Sequence, residues 1–245
     1  MHNATLSAEI VAFSSLSVEE ANQLTQRIYW LFEQIDKSHL KWKKEKVFMR
    51  LVSGGLIECL VSAPCDALRI ALLIKNGIKS FSIYPSSEFL ASAKYRKQFQ
   101  AYGARVGISI GRVNIDLIDK DIVDEEAISR SGKLIAEQKK MKAKSTLSFD
   151  SPSKDLTDQI TVILSLLDEF LNRATTKQSH ILLYKLLGYN EVDIARELGI
   201  KQSTVNQQSK AAGWNVIEQA VRYYSQYDFF GEFNYKNYWE EDDIE

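Results

Sequence analysis

The sequence predicts an α+β chain in two parts: an α/β sandwich over residues 1–150 and an all-α part over 154–224. Three observations carry this. Short apolar, β-branched segments alternate with segments of helical periodicity up to about residue 150. Ser151-Pro152-Ser153 then breaks the chain. Beyond that break the strand signal disappears, and four segments of helical character follow, ahead of an acidic aromatic tail over 225–245.

The elements follow in order. Leu6 to Phe13 reads as a strand. Ser17, with Glu20 three residues on, forms a capping box for a helix running to about Asp36, with Leu24, Ile28, Leu31 and Ile35 on its buried face. Val47–Val52 and Leu56–Val61 read as a hairpin around Ser53-Gly54-Gly55. Asp66 caps a helix that is expected to stop at Gly77. Further helices are expected over Ser86–Gln100 and Asp124–Lys140, with strands at Arg105–Val113 and Thr146–Phe149. The all-α part is expected to hold helices at Leu156–Leu171, Gln178–Leu187, Glu191–Leu198 and Gln202–Gly213, the last continuing through Trp214 to Tyr224.

Bulk properties exclude several classes. The 245 residues are 45% hydrophobic and 26% charged, which is ordinary for a chain that buries its own core. No run of about 18 apolar residues exists, so no membrane span is expected, and no signal peptide is visible. Cys59 and Cys65 lack the partners of a zinc site, and so low a cysteine content suits a reducing cytoplasm. The net charge of −1 divides into about −6 for Tyr227–Glu245 and about +5 for the remainder.

Tyr189–Gly213 (YNEVDIARELGIKQSTVNQQSKAAG) carries the strongest motif. Asn190 is an N-cap, Ile194, Ala195 and Leu198 form an inner face, and Gly199 takes the left-handed position after the helix. Ile200 is expected to be the buried turn residue, and Val205 to plug the core from the next helix. This is helix-turn-helix spacing. The second helix would present Gln202, Ser203, Thr204, Asn206, Gln207 and Gln208 to base edges, with Lys201 and Lys210 for phosphates. So lightly basic a helix implies weak binding by one copy and a need for dimers. The bland alternative is a helical hairpin that packs on the first part and touches no DNA.

Leu186-Leu187-Gly188-Tyr189, Ile194-Ala195, Leu198-Gly199-Ile200 and Ser203-Thr204-Val205 resemble sigma-factor region-4 helix-turn-helix segments. The first part resembles class III nucleotidyl cyclases, in SAEIVAFSSLS with Glu9 at the first metal-binding position, in the hairpin, in RVGISIGRV and in Glu125–Leu134. By that resemblance Glu9, Ser53, Gly54, Gly55, Ser129 and Lys133 mark a ligand cleft. The hairpin turn holds no carboxylate, and Ser129 and Lys133 stand where that family has asparagine and arginine. One carboxylate cannot hold the two metals of phosphoryl transfer. The resemblance therefore implies a ferredoxin-like fold without cyclase chemistry: no catalytic residue, no metal, no cofactor, and an unidentified nucleotide as the one ligand left open. Together with Ala212-Gly213-Trp214, the two parts resemble the SatD family.

The expectation is a cytoplasmic, homodimeric transcription regulator that binds double-stranded DNA, its first part serving either to sense a ligand or to dimerise. Two other classes stay open: an adaptor that binds only protein, and a divergent nucleotide-processing enzyme using Glu9 with Glu58 or Asp66. The tail, from Tyr223 to Trp239 rich in rings and then acidic, closes the core, docks a protein partner or covers the basic helix face.

Overall fold

The computed structural model describes residues 2–38, 47–81, 93–112, 125–140 and 145–229. It is a mixed α+β structure built on a five-stranded sheet in the order β2-β3-β1-β4-β5. The strands are β1 (His2–Ile10), β2 (Val47–Val52), β3 (Leu56–Val61), β4 (Ala104–Arg112) and β5 (Leu147–Asp150). β1 pairs antiparallel with both β3 and β4, and only the β4–β5 pair is parallel. Helices α1 (Val18–Lys37), α2 (Ala67–Ser80), α3 (Ala93–Tyr102) and α4 (Glu125–Lys140) belong to this half. The remainder is α5 (Lys154–Arg173), α6 (Thr176–Leu186), α7 (Glu191–Leu198), α8 (Gln202–Ala211) and α9 (Trp214–Gln226). No helix among the described residues is long and apolar enough to cross a membrane.

Strand alternation sets the layers. Ala4, Leu6, Ala8 and Ile10 of β1 enter the apolar core on the side of α1 and α2. Asn3, Thr5, Ser7 and Glu9 point to the other face, where α4 lies and the Ser7 and Ser131 hydroxyls bond at 2.8 Å. The Ser17/Glu20 capping box opens α1, with both reciprocal bonds made.

Several expectations shift. β1 starts at His2 and ends at Ile10, because β4 offers a partner to every residue from His2 onward. Asp66 holds the N-cap position of α2 without a capping bond from its side chain, since the turn Pro64–Asp66 already winds into the helix. α2 does not stop at Gly77. That glycine lies inside the helix, where a Cβ would stand 2.5 Å from Leu31 Cδ2, so its missing side chain lets α1 and α2 approach. The strand at 104–112 and the helix at 93–102 are shorter than expected only at ends that lie outside the described residues. α8 and α9 are two helices, because Gly213 turns left-handed (φ 78°) between them.

α2 is the pivot. From Ile70 to Ser80 every residue is buried, because the helix lies between the sheet and α6, its most extensively packed helical neighbour. Two of its buried residues are lysines. Lys75 Nζ donates to the carbonyls of Tyr102 (2.9 Å) and Ala104 (3.1 Å) and to Thr146 Oγ1 (2.5 Å), and faces Asp168 Oδ1 at 3.6 Å. Asp168, on α5, accepts in turn from the backbone N–H and the hydroxyl of Thr146. Lys79 Nζ donates to the carbonyls of Ala101 (2.7 Å), Leu171 (2.6 Å) and Asn172 (3.0 Å), near the C-terminal ends of α3 and α5. Helix C-termini carry partial negative charge, so a cation there is well placed. One apolar cluster consequently runs from Ala4 to Phe229 without interruption.

Lys75→Met leaves Asp168 buried without its cation and is expected to cost about 3–5 kcal/mol in urea denaturation. Adding Asp168→Asn to it is expected to cost less than the sum of the two single changes, and strict additivity would disprove the coupling.

Burial pulls Lys75 down to about 8 and Lys79 down to about 7. Between those values and the ordinary lysine range the unfolded chain holds the extra protons, so stability rises with pH across that window. Burial also pushes the Cys59 thiol upward, and the unfolded chain then loses that proton first, so above about pH 9 the thiol offsets part of the rise. The wild-type advantage over Lys79→Met is expected to widen from about pH 7 to about pH 10. A constant difference in urea midpoint across that range would contradict it.

Candidate nucleic-acid interface and ligand cleft

Helices α6 to α9 are laid down by local signals. Thr175 and Gln178 make a capping box at the start of α6. Asn190 Oδ1 accepts from the N–H groups of Val192 and Asp193, both at 2.9 Å, and starts α7. Gly199 ends α7 in the left-handed conformation (φ 63°, ψ 33°), and the Ile200 N–H returns to the carbonyl of Ala195 at 3.0 Å. α8 begins at Gln202 without a capping side chain from Lys201. Ile194 and Val205 are fully buried where the two helices cross, with Ala195 and Leu198 packed beside them. Ile200 is not the buried turn residue the sequence suggested. It is 37% exposed, because the Gly199 turn directs it outward and Val205 fills the space beneath.

The structure places the expected DNA-reading residues on the outer side of α8. Lys201, Gln202, Ser203, Gln207 and Lys210 are exposed, and Thr204, Asn206 and Gln208 are half-buried. Asn206 is already engaged: its Nδ2 donates to both carboxylate oxygens of Glu191, at 3.2 and 3.3 Å. Lys185 of α6 donates to the same carboxylate at 3.1 Å and stands over the Trp214 ring at 5.9 Å. Slight burial lifts the Glu191 carboxyl, but the bonds from Lys185, Asn206 and Gln202 outweigh it and hold the group below its ordinary range. Glu191 thus pins α7, α8 and α6 into one unit. The sequence marks Glu191 only as the start of its helix and does not single out Lys185, although Glu191 at the first position of α7 and Asn206 in the middle of α8 are a spacing that a three-residue turn brings together.

The second group of candidates sits on β1, the β2–β3 turn and α4. The Ile10 N–H donates to the Gly55 carbonyl at 3.0 Å, so the Ser53-Gly54-Gly55 turn abuts the end of β1 beside Glu9. The Glu9 carboxylate is held by Lys139 Nζ at 2.5 Å and lies 3.8 Å from Arg105 Nη1. Ser129 and Lys133 are exposed on α4, whereas Ser131 of the same helix turns inward to Ser7. The polar groups of α4 that reach the sheet therefore include Ser131, Lys139 and Gln138, which donates to Ser148 Oγ of β5 at 2.8 Å. Glu58, on β3, is paired with Arg50 across the hairpin. Among the described residues no group of three or more His, Cys, Asp or Glu side chains is arranged to hold a metal ion.

No protein-family model matches the chain, and neither the curated proteins nor the solved structures contain a match to it.

Two left-handed glycines of this region, Gly199 and Gly213, give a paired test. A Cβ on Gly199 would meet nothing within 4 Å, so Gly199→Ala carries only the backbone cost of about 1–2 kcal/mol. A Cβ on Gly213 would stand 2.6 Å from Phe170 Cδ1, so Gly213→Ala is expected to cost measurably more in the same thermal or urea unfolding experiment. Equal costs would show that Phe170 yields freely.

Proposed function

We propose that this chain is a DNA-binding transcription regulator in which α7 and α8 act as a helix-turn-helix and α8 enters the major groove. The observation that carries the reading is the outer row of α8: Lys201, Gln202, Ser203, Gln207 and Lys210, exposed together on a helix fixed from behind by Ile194, Val205 and Glu191. Glutamine can pair bidentately with adenine, and the two lysines can each neutralise a phosphate. The row lacks the density of positive charge that would hold one copy on DNA, so the regulator acts as a homodimer on paired half-sites.

The sheet half is read as a ferredoxin-like, cyclase-like body of the SatD type, without cyclase chemistry. The β2-β3-β1-β4 order, with β1 antiparallel to both neighbours, supports the fold reading, since it is the order of two interleaved split β-α-β units. The Lys139 ammonium on Glu9 supports the second, since the carboxylate is already neutralised by the protein itself. Its role is to sense a ligand or to serve the dimer.

Fluorescence anisotropy with random duplex DNA tests the proposal. Two phosphate contacts predict a loss of about 12-fold in affinity for a fourfold rise in salt, for example from about 50 to about 200 mM. Lys201→Glu together with Lys210→Glu is expected to abolish binding while leaving the thermal midpoint unchanged. Absence of binding by the wild type at either salt would remove the DNA-binding reading.

A further inference from the structure

We propose that Gln207 is the residue of α8 that selects a base pair, and that Glu191 is its positioning residue. The inference rests on the DNA-binding reading and narrows it from a row of side chains to one amide. α8 turns Val205, Ser209 and Ala212 inward, where all three are buried. Ser203, Gln207 and Lys210 repeat the same spacing of four and three residues on the opposite side, and all three are exposed. Gln202 and Asn206 occupy one flank between these rows, and Thr204 and Gln208 the other. The first flank meets Glu191 of α7. Asn206 Nδ2 donates to both oxygens of that carboxylate, at 3.2 and 3.3 Å, and Gln202 bonds to the same group. Gln207 bonds to none of the described residues, so the one amide of the outward row is free to donate and to accept.

An amide offers a donor and an acceptor side by side, which matches the N6–H and N7 edge of adenine in the major groove. Ser203, one turn before, carries a hydroxyl that fits any base edge, and Lys210, a turn after, an ammonium suited to phosphate. A bidentate pair of this kind needs both bonds close to linear. Apolar contact beneath α8 resists a roll of the helix about its axis only weakly, whereas directional bonds resist it. Asn206, one position before Gln207, is tied by two such bonds to α7, so Glu191 sets the direction in which Gln207 leaves the helix. Lys185 of α6 donates to Glu191 Oε1 at 3.1 Å, so the carboxylate does not face the phosphates without a counter-charge. Phosphate contacts tolerate a roll of the helix and base contacts do not. Loss of Glu191 therefore lowers discrimination between sequences more than affinity for DNA as such.

The test uses the full chain and two duplexes, one selected by the wild type from a randomised pool and one of random sequence. The ratio of the two affinities in fluorescence anisotropy measures discrimination. Gln207→Ala is expected to lower that ratio by roughly 5- to 150-fold, the worth of one bidentate pair, and to leave random-duplex affinity unchanged. Glu191→Ala is expected to lower it by about tenfold without weakening random-duplex binding, and to lower it no further in a Gln207→Ala background. Glu191→Gln keeps an acceptor for Asn206 and is expected to restore most of the ratio. A wild type that discriminates while its Gln207→Ala or Glu191→Ala form keeps the full ratio overturns the inference and leaves the DNA-binding reading standing. So does a Glu191→Ala form that loses the selected and the random duplex alike, since Glu191 would then serve only the fold. A wild type that binds DNA without discriminating also overturns it, and one that binds neither duplex removes the inference and the reading together.

Discussion

Two buried ammonium groups hold the halves of this protein together. Lys75 and Lys79 lie one turn apart on α2, and their acceptors come from β4, from the segment entering β5, and from α3 and α5. A lysine taken out of water is costly unless its donors are met. Here six acceptor contacts and one carboxylate meet them, and the three from Asp168, Leu171 and Asn172 are made only when α5 lies where it does. The apolar contact between α2 and α6 supplies the attraction between sheet and helices, and the ammonium network supplies the register. Apolar surfaces slide past one another at little cost, whereas a displaced lysine leaves buried donors and carbonyls unpaired.

From that anchor the helical half extends outward in order. α5 is fixed by Asp168 and Lys79, α6 packs on α2, and Arg69 of α2 donates to the Leu186 carbonyl at the end of α6 at 3.1 Å. α6 then presents Lys185 to Glu191, and Glu191 grips Asn206 of α8. Packed and bonded groups thus connect the sheet half to the α7–α8 pair.

Much of this was legible in the sequence where the cause is local. The Ser17/Glu20 box, the Ser53-Gly54-Gly55 hairpin, the Asn190 cap and the Gly199 turn each follow from residues within four positions of one another, and each appears where expected. The Thr175/Gln178 box has the same local cause. What could not be read was non-local. Lys75 and Lys79 look like solvent-facing residues of an amphipathic helix, since their acceptors lie 22 to 93 residues away. Gly77 looked like a helix end because its reason for being glycine, the Leu31 side chain, belongs to another helix. The motif resemblance points to Ser129 and Lys133, which are exposed on α4, whereas Ser131, Gln138 and Lys139 of the same helix make the polar contacts to the sheet.

The same reasoning bears on how so lightly charged a helix could serve recognition. Affinity lost for want of positive charge can be recovered by lowering the cost of ordering the reading surface. α8 is held at both ends by left-handed glycine turns, from below by Val205, and at its middle by Asn206 on Glu191. Fixing Asn206 to a carboxylate settles the rotation of the helix about its axis. The exposed glutamines one position on from it and at the helix start then face outward in a single orientation. On this view Glu191 is the residue that converts a polar helix into a defined surface, and the dependence runs inward through Lys185 and α6 to the lysines of α2.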